Sequence, residues 1–333
     1  MDALRPGGGF AKIIAVSSSR RTCRFALRSA VLSLAILCAQ GAGADSSAVR
    51  TALDGLDRTR VFAAAHRGDW KHHPENSVSA VRGAIESGAE IVEIDVRMTK
   101  DGVLVACHDG TLDRTTDGKG PVSKALYSDI RKLRLREGAG GAAAALTEER
   151  MPTLEEILLA AKGKAMVNVD HSASWPKEIM SVARKVGMER EVILKTAQEP
   201  DDARERFGDT GEFLLMPILS ADRGKAIAQL EAWRTSCSPR IYEMCFRLEE
   251  NSPRVLKYMA EKMEGRPRIW INALADKLCD GHSDARGPEG WAWLVAHGAT
   301  VIQTDDIEGL RSWLDSKGIL QNAQRKDMKH EKN

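Results

Sequence analysis

The stretch Ile91-Val-Glu-Ile-Asp-Val96 decides how the chain is read. It is a short β-branched run in which two acids, Glu93 and Asp95, alternate with apolar residues. Side chains two apart on a strand share a face, so both acids point one way. Seven more runs of this kind follow or precede it: Val61–Ala65, Met166–Val169, Val192–Leu194, Phe213–Met216, Ile241–Phe246, Ile269–Ile271 and Thr300–Ile302. Amphipathic stretches lie between them, at Ser77–Ser87, Trp175–Val186, Ala221–Trp233, Pro253–Met263 and Trp291–His297. Apolar strands alternating with helices imply a parallel sheet covered on both faces. Eight such units over about 250 residues predict an α/β fold, a closed (β/α)8 barrel. An open doubly wound sheet would carry a Gly-rich loop after its first strand, and there is none.

One interval breaks the rhythm. About 70 residues separate Val96 from Met166. Val103–Cys107 supplies an extra strand there and Ser128–Leu135 a short helix. This predicts an insertion over about residues 97–150 on the second βα unit, ending in a Gly/Ala-rich mobile loop, Gly138–Ala145.

The 333 residues are 43 % hydrophobic and 29 % charged, enough apolar matter for a core. A net charge of +2 and 5 % aromatic residues exclude a basic or stacking surface for nucleic acid. The charge is unevenly spread. Residues 1–44 hold Arg5, Lys12, Arg20, Arg21, Arg24 and Arg28 against Asp2, followed by the apolar run Ala30–Ala39 and the small residues Ala42-Gly43-Ala44. That order is the order of a secretory signal peptide, cleaved before Asp45. Its apolar run is too short to span a bilayer, so the expectation is an exported protein, periplasmic or secreted, with no stable membrane insertion. The expected layout continues with a linker at 45–59, the barrel at 60–315 and a polar tail at 316–333. Beyond the leader, Cys107, Cys237, Cys245 and Cys279 permit disulfides whose pairing spacing does not reveal.

Chemistry-bearing residues collect at strand ends. The first strand ends in Ala65-His66-Arg67-Gly68, and Pro74-Glu75-Asn76 follows. The inserted strand ends in His108-Asp109, the third barrel strand in Val169-Asp170 and the fourth in Lys195. In a parallel barrel the C-terminal strand ends form the working face. Paired carboxylates repel one another there, and a cation relieves the repulsion. Glu93, Asp95 and Asp170 form an oxygen-rich set suited to Ca²⁺ or Mg²⁺ rather than Zn²⁺. His66 and His108 can accept and donate protons near neutral pH, and Arg67 offers a fixed fork to a phosphate. Such a set suits cleavage of a phosphodiester.

These stretches, with Asp101-Gly102, His108 to Gly118, Met151-Pro-Thr-Leu-Glu-Glu156 and Gly298 to Asp305, resemble the glycerophosphodiester phosphodiesterases, and among them bacterial exported members. The resemblance covers about residues 60–315. It implies a TIM barrel with a segment inserted after the second strand, and a divalent metal held by Glu93, Asp95 and Asp170. It further implies acid–base histidines at His66 and His108, and a phosphate-contacting arginine at Arg67. Glu75 then orients Arg67 or the metal shell. The implied reaction hydrolyses a small-molecule glycerophosphodiester to an alcohol and glycerol 3-phosphate.

Many members carry Glu-x-Lys where this chain has Asp170-His171-Ser172. Lys195, aimed into the same mouth, is expected to replace the missing cation at the phosphate. The alternatives are phospholipase-type cleavage of lyso- or inositol phospholipids, in some cases through a cyclic phosphate, and a barrel that binds phosphodiesters without turnover. His72 and His73 are read as loop or rim residues and Asp305 as a loop-fixing group. His282, Asp284 and Asn272 are read as candidate substrate contacts. Trp270, Trp291 and Trp293 are assigned to packing, and Cys107 to the side away from His108. Oligomeric state is not legible.

Overall fold

The computed structural model describes residues 45–221, 224–246, 252–263, 266–274 and 287–319. The expected leader at 1–44, Cys279, His282, Asp284 and the tail beyond 319 lie outside the described residues.

Eight parallel strands close into a ring. They are β1 (Phe62–Ala65), β2 (Ile91–Met98), β6 (Met166–Asp170), β7 (Val192–Thr196), β8 (Leu214–Ser220), β9 (Ile241–Cys245), β10 (Arg268–Ala273) and β11 (Val301–Thr304). β1 pairs with β2 on one side and with β11 on the other, so the sheet has no free edge. All eight coincide with runs predicted from sequence. Helices Val78–Glu86, Leu154–Ala161, Pro176–Val186, Pro200–Phe207, Ala226–Ser236, Ser252–Glu261, Pro288–Ala296 and Ile307–Ser316 cover the outside.

The pleat sorts each strand into two cores. On β2, Val92, Ile94 and Val96 face outward into the core shared with the helices. Ile91 faces inward, with Phe62, Ala64, Met166, Ile193, Met216 and Trp270, and fills the lower barrel. The next inward layer is polar and buried: Glu93, Asn168, Lys195, Glu243, Asn272 and Gln303. This switch from apolar to polar along the barrel axis sets the level at which chemistry starts.

The segment expected as a linker forms a helix, Ser46–Asp54, with Asp45 accepting the Ser47 amide as its N-cap. Val49 and Leu53, one turn apart, enter the lower barrel core and close its base. Each is at most 2 % exposed, and burial of such a side chain stabilises by about 1.5–3 kcal/mol. The helix's last carbonyls, Ala52 and Leu53, accept from the buried guanidinium of Arg268 on β10.

The insertion has its own small core of Val105, Cys107, Leu112, Val122, Ile130, Leu135 and Met151. Its strand β3 (Leu104–Ala106) pairs antiparallel with the end of β2. Cys107 lies in that core, away from the mouth, as alternation requires. The expected helix over Ser128–Leu135 is shorter and earlier, Tyr127–Ile130. Arg134–Arg136 is instead β4, paired antiparallel with β5 (Leu146–Arg150). The Gly/Ala-rich segment is tied down rather than loose. Gly138 accepts from the Glu75 amide at 2.9 Å, Ala144 accepts from Arg136 at 3.0 Å, and the Gly141 amide donates to Arg114 at 2.7 Å. The Cys237 thiol is unpaired, so no Cys237–Cys245 bridge forms.

Candidate active site

The site begins with the turn that ends β1. Arg67 (φ 55°) and Gly68 (φ 76°) both adopt left-handed conformations. At Gly68 an added Cβ would lie 2.7 Å from the Ala80 backbone, so glycine is required there. At Arg67 the conformation is costly for a residue with a Cβ, by about 1–3 kcal/mol. Neighbouring groups hold it. Its amide donates to Glu93 at 2.9 Å, and its guanidinium reaches Glu75 at 3.2 Å and Asp95 at 3.3 Å. Asn76, also left-handed (φ 58°), donates to Asp95 at 3.0 Å and accepts the Asp95 amide at 2.9 Å. The Pro74-Glu75-Asn76 stretch thus braces β2 and the arginine together.

Glu75 is buried, 3 % exposed, and binds two guanidiniums. The second is Arg114 of the insertion, whose two terminal nitrogens stand 2.7 and 2.8 Å from the Glu75 oxygens. Arg114 also grips Asp109 at 2.8 and 2.9 Å. The hydrogen bonds from Arg114 hold the Asp109 carboxyl below its usual range, with His108 adding to the effect.

Both predicted histidines are held through Nδ1 by a carboxylate. His66 Nδ1 lies 2.7 Å from Asp305, and His108 Nδ1 lies 2.7 Å from Asp109. Burial alone would lower the His66 pKa. The hydrogen bond to Asp305 and the charge of Glu93 outweigh it, and the pKa is raised. A carboxylate on Nδ1 fixes that nitrogen as the donor and leaves Nε2 for exchange with a substrate. Asp305 makes the expected loop-fixing hydrogen bond, accepting from Trp70 Nε1 at 2.8 Å, and also orients the histidine.

Glu93 is buried at 1 % exposure, two residues below Asp95 on the same face. Burial and the Asp95 charge raise its pKa to about 8. Asp95, Asp170 and His171 offer ligand atoms that all lie within 4.8 Å of one another. The structure thus gathers Asp95 and Asp170, as predicted, and adds His171, which received no role from sequence. Two carboxylates and an imidazole converging in this way form a donor set that fits a divalent cation.

Lys195 is buried beneath this cluster. Its Nζ lies 3.3 Å from Asp170 and 2.9 Å from Glu243. Burial would lower its pKa, but Asp170 and Glu243 raise it well above the usual value, so it stays charged. Asn272, a predicted substrate contact, is turned inward instead. It donates to Glu243 at 2.8 Å and accepts from Trp270 Nε1 at 2.8 Å. His72 is mostly exposed and bonded to Asp69, on the rim.

A family model described as the glycerophosphoryl diester phosphodiesterase family matches residues 66–211, which include the predicted catalytic, phosphate-binding and metal-holding residues. Over that stretch the chain is similar to the glycerophosphoryl diester phosphodiesterase family. A second model, a domain of unknown function, matches residues 215–314, the later half of the barrel. A Caldanaerobacter subterraneus protein named glycerophosphodiester phosphodiesterase is 35 % identical over 144 residues, covering 41 % of this chain and 58 % of its own length. Mouse glycerophosphodiester phosphodiesterase 1 is 44 % identical over 105 residues, 30 % of each chain. The chain thus spans less than two thirds of these relatives. Among solved structures, a glycerophosphoryl diester phosphodiesterase from Parabacteroides distasonis superposes with a TM-score of 0.66 at 21 % identity, covering 83 % of this chain and 93 % of its own. An Oleispira antarctica phosphodiesterase in complex with the product sn-glycerol-3-phosphate superposes with a TM-score of 0.55 at 18 % identity, covering 76 % and 96 %. These neighbours share the barrel fold of the glycerophosphoryl diester phosphodiesterase family.

Proposed function

We propose that the chain hydrolyses glycerophosphodiesters to an alcohol and glycerol 3-phosphate, in the periplasm or outside the cell. The observation that carries this reading is the pair of imidazoles, His66 and His108, each held by a carboxylate at 2.7 Å beside an acid cluster at the barrel mouth. The family-model match over residues 66–211 and the product named for the Oleispira neighbour support the substrate class.

Asp95 and Asp170, with Glu93 beneath them, would hold a divalent cation, for which carboxylate oxygens suit Ca²⁺ or Mg²⁺. When bound, such a cation supplies positive charge to the phosphoryl oxygens. Arg67 presents its guanidinium to the same oxygens while Glu75 keeps it aimed. One imidazole takes the proton of the attacking oxygen as that oxygen bonds to phosphorus. The other gives a proton to the leaving alkoxide as its bond to phosphorus breaks. Afterwards the two rings have exchanged protonation states, and solvent restores them. Lys195, engaged by Asp170 and Glu243, keeps Asp170 ionised and in place.

The test is release of glycerol 3-phosphate from glycerophosphocholine by the purified chain, first with EDTA and then with added divalent cation. Release restored by the cation supports the reading. A folded, metal-loaded chain with no turnover on glycerophosphodiesters overturns it.

A further inference from the structure

Sequence alternation places His171 away from the mouth. Asp170 points into the barrel, so the next residue on a regular strand would point out. The structure does the opposite, because His171 has a left-handed backbone, φ 62° and ψ 13°. That turn is locked from several sides. Asp170 Oδ1 accepts the His171 amide at 2.5 Å, and the His171 carbonyl accepts from Ser174 at 2.8 Å. Ser172 Oγ bridges to the Lys195 backbone, accepting its amide at 2.6 Å and donating to its carbonyl at 3.1 Å. A non-glycine residue is kept in a sparsely populated conformation, and the effect is to bring an imidazole beside Asp95 and Asp170.

The distances say what the ring is placed for. His171 Nδ1 lies 3.7 Å from Asp95 Oδ1 and 3.8 Å from Asp170 Oδ1. Both are too long for a hydrogen bond. The nitrogen is buried and has no hydrogen-bond partner. His66 and His108, by contrast, each have a carboxylate at 2.7 Å on Nδ1. Two ligands bound to one cation at about 2.0–2.3 Å stand roughly 3–4 Å apart, the spacing seen here. A second polar group on the same face is unsatisfied. Asn168, two residues before Asp170 on β6, is fully buried, and neither atom of its amide has a partner.

We propose that His171 is a nitrogen ligand of the metal centre, which therefore holds a transition-series divalent cation of the Mn²⁺ class more tightly than Mg²⁺ or Ca²⁺. This rests on the metal-dependent reading above and refines it. An all-oxygen set suits Mg²⁺ and Ca²⁺, whereas an imidazole added to carboxylates favours the transition series. The Nδ1 position is the donor, and no proton transfer is assigned to this ring.

The experiment needs no turnover. The metal-stripped full chain is titrated calorimetrically with Mn²⁺, Mg²⁺ and Ca²⁺ in turn, and the Mn²⁺ complex is examined by pulsed EPR for ¹⁴N coupling. His171→Asn is the variant, because Asn is at home in the left-handed region; His171→Gly, which tolerates the same backbone, is the second. We expect a nitrogen coupling in the parent that both variants lose. We also expect Mn²⁺ affinity to fall about tenfold or more in the variants while Mg²⁺ affinity moves by less than about threefold, the scale of losing a metal-site group. Mn²⁺ bound without nitrogen coupling overturns the inference and leaves the metal-dependent reaction standing. A coupling that persists in both variants, or Mn²⁺ and Mg²⁺ affinities falling together, overturns it as well. A folded chain that binds none of the three cations overturns both the inference and the metal in the proposed reaction.

Discussion

Nδ1 of His66 lies 2.7 Å from Oδ1 of Asp305, a carboxylate 239 positions further along the chain. The two meet because β1 and β11 are neighbours in the closed sheet, with Ala65 opposite Thr304. Asp305 fixes the ring's tautomer and its orientation. Asp305→Asn can still bond to the ring, but it can stabilise the other tautomer and cannot stabilise the charged form. Its kcat on glycerophosphocholine should fall by about 10²-fold or more, as for loss of acid–base assistance, with KM little changed. A near-parent kcat would separate His66 from proton transfer.

His66→Ala and His108→Ala should each lower kcat by about 10²-fold or more. The double variant should fall by less than the product of the two, because the residues act in one step. Single-turnover rates on the same substrate check this.

Lys195→Met removes the cation between Asp170 and Glu243. Buried Glu243 and part-exposed Asp170 are then left without their partner, and breaking a fully buried pair costs about 3–5 kcal/mol, so the loss here should reach at most that. The loss should be visible as a lower denaturant midpoint in urea. Lys195→Met combined with Glu243→Gln should recover part of the stability, because one of the stranded charges is gone. A single variant as stable as the parent would show that the pair contributes nothing to the fold.

Glu75→Gln leaves the volume but removes the charge that binds Arg67 and Arg114. Arg67 is the better buried of the two, so its aim should suffer more. The expected result is a KM for glycerophosphocholine raised about tenfold, on the scale of one charged hydrogen bond. Steady-state kinetics with the variant would test it.

Leu53→Ala opens a cavity at the base of the barrel, far from the mouth. It should destabilise by about 2–5 kcal/mol while kcat and KM hold. Thermal unfolding and kinetics at 25 °C on the same preparation separate the two effects.

The eight barrel strands were legible because a parallel strand buried on both faces has little choice but a β-branched apolar run. His66, Arg67, Glu93, Asp95, His108 and Asp170 were legible because each ends a strand or lies at even spacing on one. Three features were not. The helix Ser46–Asp54 is short and mostly polar, and only the open barrel base beneath Val49 and Leu53 gives it a reason to form. Asp305 read as a loop residue because its partner is set by ring closure rather than by local pattern. His171 was hidden by the alternation rule itself, which its left-handed turn breaks; the one available signal was a donor-type residue directly after Asp170. The Gly/Ala-rich stretch misled for a related reason. Composition reports freedom in the unfolded chain, whereas Arg114, Arg136 and Glu75 decide what is fixed in the folded one.

The pairing of Phe62 with Val301 has a consequence for how the molecule is made. A chain that threads out of a ribosome or a membrane pore from its N-terminus presents β1 first and must wait for β11 before the ring can shut. The base helix waits too, since its final carbonyls are capped by Arg268 from β10. The early half can collect helices on β1, β2, β6 and β7, but it exposes an open edge until the last strand arrives. Folding should therefore be limited by a late, long-range closure, and a truncation that removes β11 should leave an aggregation-prone half-barrel rather than a smaller stable domain.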